Sequence, residues 1–201
     1  MSDLNKDLEN FKKYVDELGN KEFKNFVDFE NEYCRAINKG TELRNYVINN
    51  PSLCDENSLK VLTNQSQDFS LLNEKFKCLY SVITLTQRLL QEYAKYEKYC
   101  EDSGNYDGAI AIYEQMFRFS GNYFYYIDIA NIYNNKLNDK EKCFQLYKEL
   151  EKYLSNYEHY WWRYAILYEN REDYFNALLC MQKAIKLELE YKYNKKEVEN
   201  A

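Results

Sequence analysis

Six cysteines and one histidine are the side chains in this chain best suited to bind a metal, run thiol redox chemistry, or act as nucleophile and base. The cysteines stand at 34, 54, 78, 100, 143 and 180, and no two form a CxxC. Structural zinc needs closely spaced thiolate and imidazole pairs, and thiol exchange needs neighbouring thiols, so neither chemistry has its spacing here. Cys100, Cys143 and Cys180 fall where helices want a small apolar residue. They read as buried, reduced thiols, which suits a reducing compartment. His159 has no partner signature for acid–base work and reads as a groove or surface residue. A Gly-rich phosphate loop, a GxSxG elbow and HExxH are all missing. Acidic pairs such as Glu30/Glu32 and Glu101/Asp102 read as solvated faces, as expected with 30% charged residues. No residue nominates itself as catalytic. The expectation is a protein that is not an enzyme and holds no cofactor or metal.

The charge balance points the same way. Residues 1–88 carry 12 basic against 14 acidic residues and residues 89–201 carry 15 against 19, for a net charge of −6. Neither half is a basic patch, so nucleic acid is not the expected partner. The first ten residues are charged, and no stretch is apolar enough to span a membrane, so the chain reads as cytoplasmic.

The elements that would carry a site are helical. There are 5 Gly and 1 Pro, with 45% hydrophobic residues. Leu4, Leu8, Phe11, Val15 and Leu18 recur at helical spacing, and Gly19-Asn20 ends that run. A second helix is expected over 21–38, stopped by Lys39-Gly40, and a third over 41–48 before the Asn49-Asn50-Pro51 break. This N-terminal helical region is bounded at 1–55. Phe23, Phe26, Phe29 and Tyr33 form an aromatic stripe within it. The stripe either packs on the rest of the chain or joins two copies in a homodimer.

From residue 90 onward the sequence repeats with a period of 34. Ala109, Cys143 and Ala177 keep that spacing, as do Tyr113, Tyr147 and Met181, and Met116, Leu150 and Ala184. Small residues at a fixed offset with this period mark stacked helical hairpins. Three repeats cover 90–190, with turns at Ser103-Gly104-Asn105, Lys136-Leu137-Asn138-Asp139 and Arg171-Glu172-Asp173. The middle repeat has one residue more in its turn. Residues 56–89 read either as a degenerate repeat or as part of one long helix from about residue 70 to 99. Residues 191–201 form a polar C-terminal tail.

The last repeat resembles the tetratricopeptide repeat. Trp161, Ala165, Tyr168, Tyr174, Ala177 and Ala184 match its positions in order. The middle repeat matches with Tyr126, Ala130, Tyr133, Cys143 and Leu150. The first matches with Tyr93, Cys100, Tyr106, Ala109 and Met116, although Glu97 replaces the small residue of its first helix. The resemblance implies an all-α fold, a right-handed superhelix of helical hairpins, with Trp161, Tyr168 and Tyr174 in the core. It also implies a concave groove lined by the first helices. By position, that groove would take Lys98 and Glu101 from the first repeat. The second would give Phe124, Ile127, Asn131, Asn134 and Asn135, and the third His159, Trp162, Ile166, Glu169 and Asn170, with Asp128 and Arg163 beside them as further partner-binding residues. Trp162 stands out, because Trp161 already fills the core position and its neighbour must point elsewhere. In the specialised version that clamps a C-terminal carboxylate, Asp128 would stand where an Asn is needed and would repel the ligand, so that function is rejected.

The function implied is a protein-interaction module: an adaptor, assembly factor or chaperone that holds a peptide or helix in the groove. Two other readings stay open. Trp162, Tyr164, Ala165 and Glu169 also resemble the half-a-TPR repeat of RNA-processing scaffolds, though the Arg of its second helix is missing. A homo-oligomeric structural protein is the third.

Overall fold

The computed structural model describes residues 4–199. Among these residues the protein is all-α, with no strand, and it divides into two compact units, Met1–Ala94 and Lys95–Ala201.

In the first unit, α1 (Leu4–Gly19) turns Leu8, Phe11 and Leu18 inward. The next helix, α2, runs without interruption over Phe26–Asn49 and is capped by Asn25, whose side chain accepts from the Asp28 amide at 2.9 Å. The expected stop at Lys39-Gly40 is therefore absent, and the two helices expected on either side of it are one. Gly40 is a packing residue. A Cβ placed there would meet the Val82 side chain and stand 2.6 Å from the Phe11 ring, so only glycine lets the three helices close. The helix α3 (Glu56–Leu62) is followed by two short 3-10 turns and then by α4 (Lys77–Asp102). Phe23, Phe29 and Tyr33 pack on one another with ring centroids 4.1–6.1 Å apart, and Phe26 lies against Phe29 and Tyr93. The aromatic stripe is thus used inside this unit. Tyr93 is fixed further by donating its hydroxyl to Glu30 at 2.5 Å.

The second unit starts with the end of α4 and continues with α5 (Tyr106–Ser120), α6 (Phe124–Asn135), α7 (Lys140–Leu154), α8 (Glu158–Glu169) and α9 (Tyr174–Glu199). From α5 on, each helix packs against the next in sequence. The repeat's small column lies where helices meet, with Ala109, Cys143 and Ala177 buried, as are Ala130 and Ala165 in the first helices. The last helix passes through residues 191–199, so the polar tail is helical up to Glu199, and residues 200–201 lie outside the described residues.

A second periodic device makes the turns. Gly104, Asn138 and Glu172 stand 34 residues apart and all have left-handed φ, at 76°, 53° and 61°. The residue after each one caps the following helix. Asn105, Asp139 and Asp173 accept from the amides of Gly108, Lys142 and Asn176 at 3.1, 2.9 and 3.2 Å. The turns close by amide-to-carbonyl bonds from Asn105 to Cys100, Asp139 to Tyr133 and Asp173 to Tyr168. The middle bond spans one residue more than the others, which is where the extra residue sits.

Between α7 and α8 the core is aromatic. Tyr160 donates its hydroxyl to the Tyr147 carbonyl at 2.6 Å, and Trp161 donates Nε1 to the Ser155 carbonyl at 2.8 Å, with the Lys183 ammonium 3.7 Å from its ring centroid. Trp161 is buried as the resemblance implies, and Tyr168 is half-buried. Tyr174 is not core. It opens α9 and is 61% exposed, while Tyr160 and Tyr164 do the packing instead.

Two outcomes follow. Gly40→Ala should destabilise by about 1–3 kcal/mol in urea unfolding, because overpacking outweighs the roughly 1 kcal/mol of helix propensity that alanine gains; a stabilised variant would contradict the close approach. Glu172→Gly should stabilise by about 0.5–1 kcal/mol, since glycine takes left-handed φ without the cost a side chain carries.

Candidate partner-binding groove

The first helices of the three hairpins are the end of α4, then α6 and α8, and the residues expected in the groove lie on them. The helix α6 is apolar almost all round. It packs against α5 on one side and α7 on the other, burying Ile127, Ile129, Ala130 and Ile132. Ile127 is 1% exposed and belongs to the hydrophobic core, so the groove role expected for it is corrected to a packing role. Trp162 stands 35 residues on, at the corresponding place in α8. It is half-buried and packs against the same core. Phe124 is also half-buried, edge-on to Tyr157 at 5.3 Å.

One residue further along each helix the situation changes. Asp128 is half-buried and Arg163 is exposed, and the two interact electrostatically. Burial raises the Asp128 carboxyl above its ordinary pKa. The Arg163 guanidinium pulls it back down and the Glu101 carboxylate pushes it further up. Burial likewise raises Glu97; the Tyr113 hydroxyl draws it back down and the Glu101 and Asp128 charges push it further up. The Tyr113 and Tyr125 hydroxyls are raised by burial, with the charge of Asp128 adding to both. Tyr147 is raised by burial too, and the Arg163 guanidinium draws it back down. The Glu97 and Asp128 carboxylates are thus partly desolvated, with the Glu101 charge and several tyrosine hydroxyls within electrostatic reach and the exposed Arg163 acting on Asp128. Such a site suits a cation, above all a lysine or arginine side chain that can bond several oxygens at once.

The remaining expected residues are scattered around this centre. Asn131 is half-buried and Lys98 exposed. Asn134 donates to Asn135 at 2.8 Å near the end of α6. Ile166 is exposed, and Asn170 caps α8 through its backbone. His159 is 78% exposed, lies 3.6 Å from Glu158, and acts on Glu188 of α9 rather than on Asp128. Glu97, Tyr113, Tyr125 and Tyr147 were not among the expected partner-binding residues. Glu97 carried a signal, as a carboxylate where the repeat wants a small residue. The tyrosines carried none, because the repeat uses tyrosine at packing positions. The thiols of Cys143 and Cys180 are pushed up to about 11 by burial, as inert packing groups would be. Among the described residues no group of three or more His, Cys, Asp or Glu is arranged to hold a metal, and no helix is long and apolar enough to cross a membrane.

No family model matches this chain, and no curated protein does. Among solved structures it is similar to MamA MSR-1 C2, with a TM-score of 0.40 and 12% identity, over 89% of this chain and 94% of that one. The hairpins stand on their own geometry.

The Asp128 carboxyl should cost the fold stability. Its folded pKa is raised, so the charged form is penalised at neutral pH. The penalty fades as pH falls through the folded pKa toward the ordinary 3.8. Asp128→Asn should therefore unfold at an equal or higher urea concentration near neutral pH, with the gap closing near about pH 4. A less stable variant at neutral pH would mean that the attraction between Asp128 and Arg163 serves the fold.

Proposed function

We propose that the second unit is a non-enzymatic protein-interaction module of the tetratricopeptide type. It takes a peptide or helix along the end of α4, α6 and α8. The observation that carries this reading is that Asp128 and Arg163, at the same place on successive first helices, are left out of the packing that consumes Ile127 and part of Trp162. A residue kept half-buried at a cost to the fold, on a face the repeat does not require, is an expected feature of a recognition surface.

The partner's chemistry follows from the charges. Glu97, Glu101 and Asp128 outnumber Arg163, so the partner brings a basic side chain to them and an acidic or amide group to Arg163. Trp162 and Ile166 flank this centre on α8 and offer apolar contact to the partner's backbone and aliphatic stems. Lys98, Asn131, Asn134, Asn135, His159 and Asn170 form the polar rim. A reducing cytoplasm suits six free thiols.

The reading is tested by quantitative pull-down with wild type, Glu101→Lys/Asp128→Lys and Trp162→Ala/Arg163→Ala as baits. Circular dichroism serves as the folding control. Specific partners should bind both variants at least about tenfold more weakly, a loss of roughly 1.4 kcal/mol or more. Their retention by wild type should fall with salt. The same partners recovered undiminished from both variants would contradict the groove as the binding surface.

A further inference from the structure

The first unit holds a cavity of about 430 Å³, a size typical of small-molecule sites. It lies between the second half of α2, the end of α3, the segment that follows α3, and the first turns of α4. Its floor is aliphatic and buried, with Val61, Leu72, Leu79 and Val82. One wall is the ring pair of Phe69 and Tyr80, with centroids 4.1 Å apart. Phe69 is 41% exposed and Ile83 37%, so the cavity meets solvent beside them. Stability alone would close such a space, because protein interiors pack with few voids larger than a water molecule. The segment between α3 and α4 has side chains that could fill it, yet leaves Phe69 and Leu71 exposed.

The cavity also has a polar end, built around Arg44. This residue donates Nε to the Leu62 carbonyl at 2.8 Å, and Nη2 to the same carbonyl and to Asn64 Oδ1 at 3.1 Å. The bonds cap the end of α3 and fix the plane of the guanidinium. Nη1 takes no hydrogen bond among the described residues, so two N–H groups of a fixed cation are left for a ligand. Among the described residues Arg44 is the one charged side chain that lines the cavity, while Asn64, Ser66 and Gln67 add amides and a hydroxyl. Asp68, which follows them in sequence, spends Oδ1 on the Ser70 amide and hydroxyl.

We infer that this cavity binds a small monocarboxylate with a medium-chain apolar body, its head on Arg44 and its chain along the aliphatic floor. One cation matches one negative charge, and a carboxylate accepts well from guanidinium N–H groups. A phosphate monoester would bring nearly two charges to a single, partly used cation. The C-terminus of a peptide has the right head, but its amides would face aliphatic walls that offer no partner. The site lies within the first unit and does not depend on what the groove of the second unit binds.

The test is an NMR titration of the nitrogen-labelled full chain with octanoate, octanol and acetyl-Gly-Gly-Leu. Octanoate should bind saturably with a Kd below about 1 mM, shifting the amides of residues 61–69 and 79–83. Octanol, which lacks the charge, and the peptide, which lacks the chain, should each bind at least about threefold more weakly. Arg44 also holds α3, so the variants are made at Gln67 and Phe69, both exposed. Gln67→Glu sets a carboxylate beside the head and should weaken octanoate at least about threefold while leaving octanol unchanged. Phe69→Ala removes part of the wall and should weaken both ligands. Wild type that shows no saturable shift up to about 5 mM octanoate overturns the inference. Octanol binding as tightly as octanoate, or octanoate indifferent to Gln67→Glu, overturns it as well, because the charge would then go unread. A peptide that binds more tightly than octanoate would make the site a receptor for chain ends and overturn the small-molecule assignment.

Discussion

Each hairpin of the second unit has an apolar face it cannot bury within itself, and closing that face on the next hairpin is the constraint on which the rest depends. The constraint explains why small residues recur on a period of 34. Ala109, Cys143 and Ala177 bring helix backbones close enough for aromatic side chains to fill what remains. It also explains the turns. Each hairpin must reverse direction into the same stacking geometry, so one left-handed residue followed by one capping side chain recurs with the same period, even where the middle turn takes one residue more. Gly104 meets this at no steric cost and Asn138 at little, whereas Glu172 accepts strain because stacking on either side of it over-determines the turn.

Function is then confined to what stacking leaves over. On α6 and α8 one column, Ile127 and Trp162, is drawn into the core, and the next, Asp128 and Arg163, is left out. The two columns differ by one residue, about 100° around the helix. The burial that neighbouring hairpins impose on Asp128 and Glu97 raises their pKa values and strengthens any interaction with an arriving cation. The same constraint gives α9 its character. Ala177, Cys180 and Ala184 are buried against α8, while the opposite row, Phe175, Leu178, Leu179, Ile185 and Leu189, is exposed and apolar where the matching row of α7 is polar apart from Phe144.

The sequence made the second unit legible because its signals are local and repeated. The period and the turns could be read from spacing, and the burial of Trp161 followed from the family resemblance. What could not be read depends on contacts distant in the chain. Gly40 looks like a helix stop in its own segment, and only Val82 and Phe11 reveal it as a point of close approach. Ile127 sits at a groove position in the family pattern, but α6 here is enclosed by α5 and α7. Tyr174 matches a core position and points outward, since Tyr160 and Tyr164 already fill the space between α7 and α8. The carboxylates come from two helices, Glu97 and Glu101 on α4 and Asp128 on α6, and show only one anomaly in sequence, Glu97 at a small-residue position.

The central claim is that the repeat holds Asp128 partly desolvated and short of positive charge, ready for a basic partner. Carbon-detected NMR titration of the aspartate and glutamate carboxyls measures this directly. Asp128 should titrate above the ordinary aspartate range around 3.8, and addition of a lysine-rich peptide should move its midpoint down. An Asp128 midpoint at or below the ordinary value, unmoved by the peptide, would show that Arg163 already satisfies the carboxylate and would contradict the account.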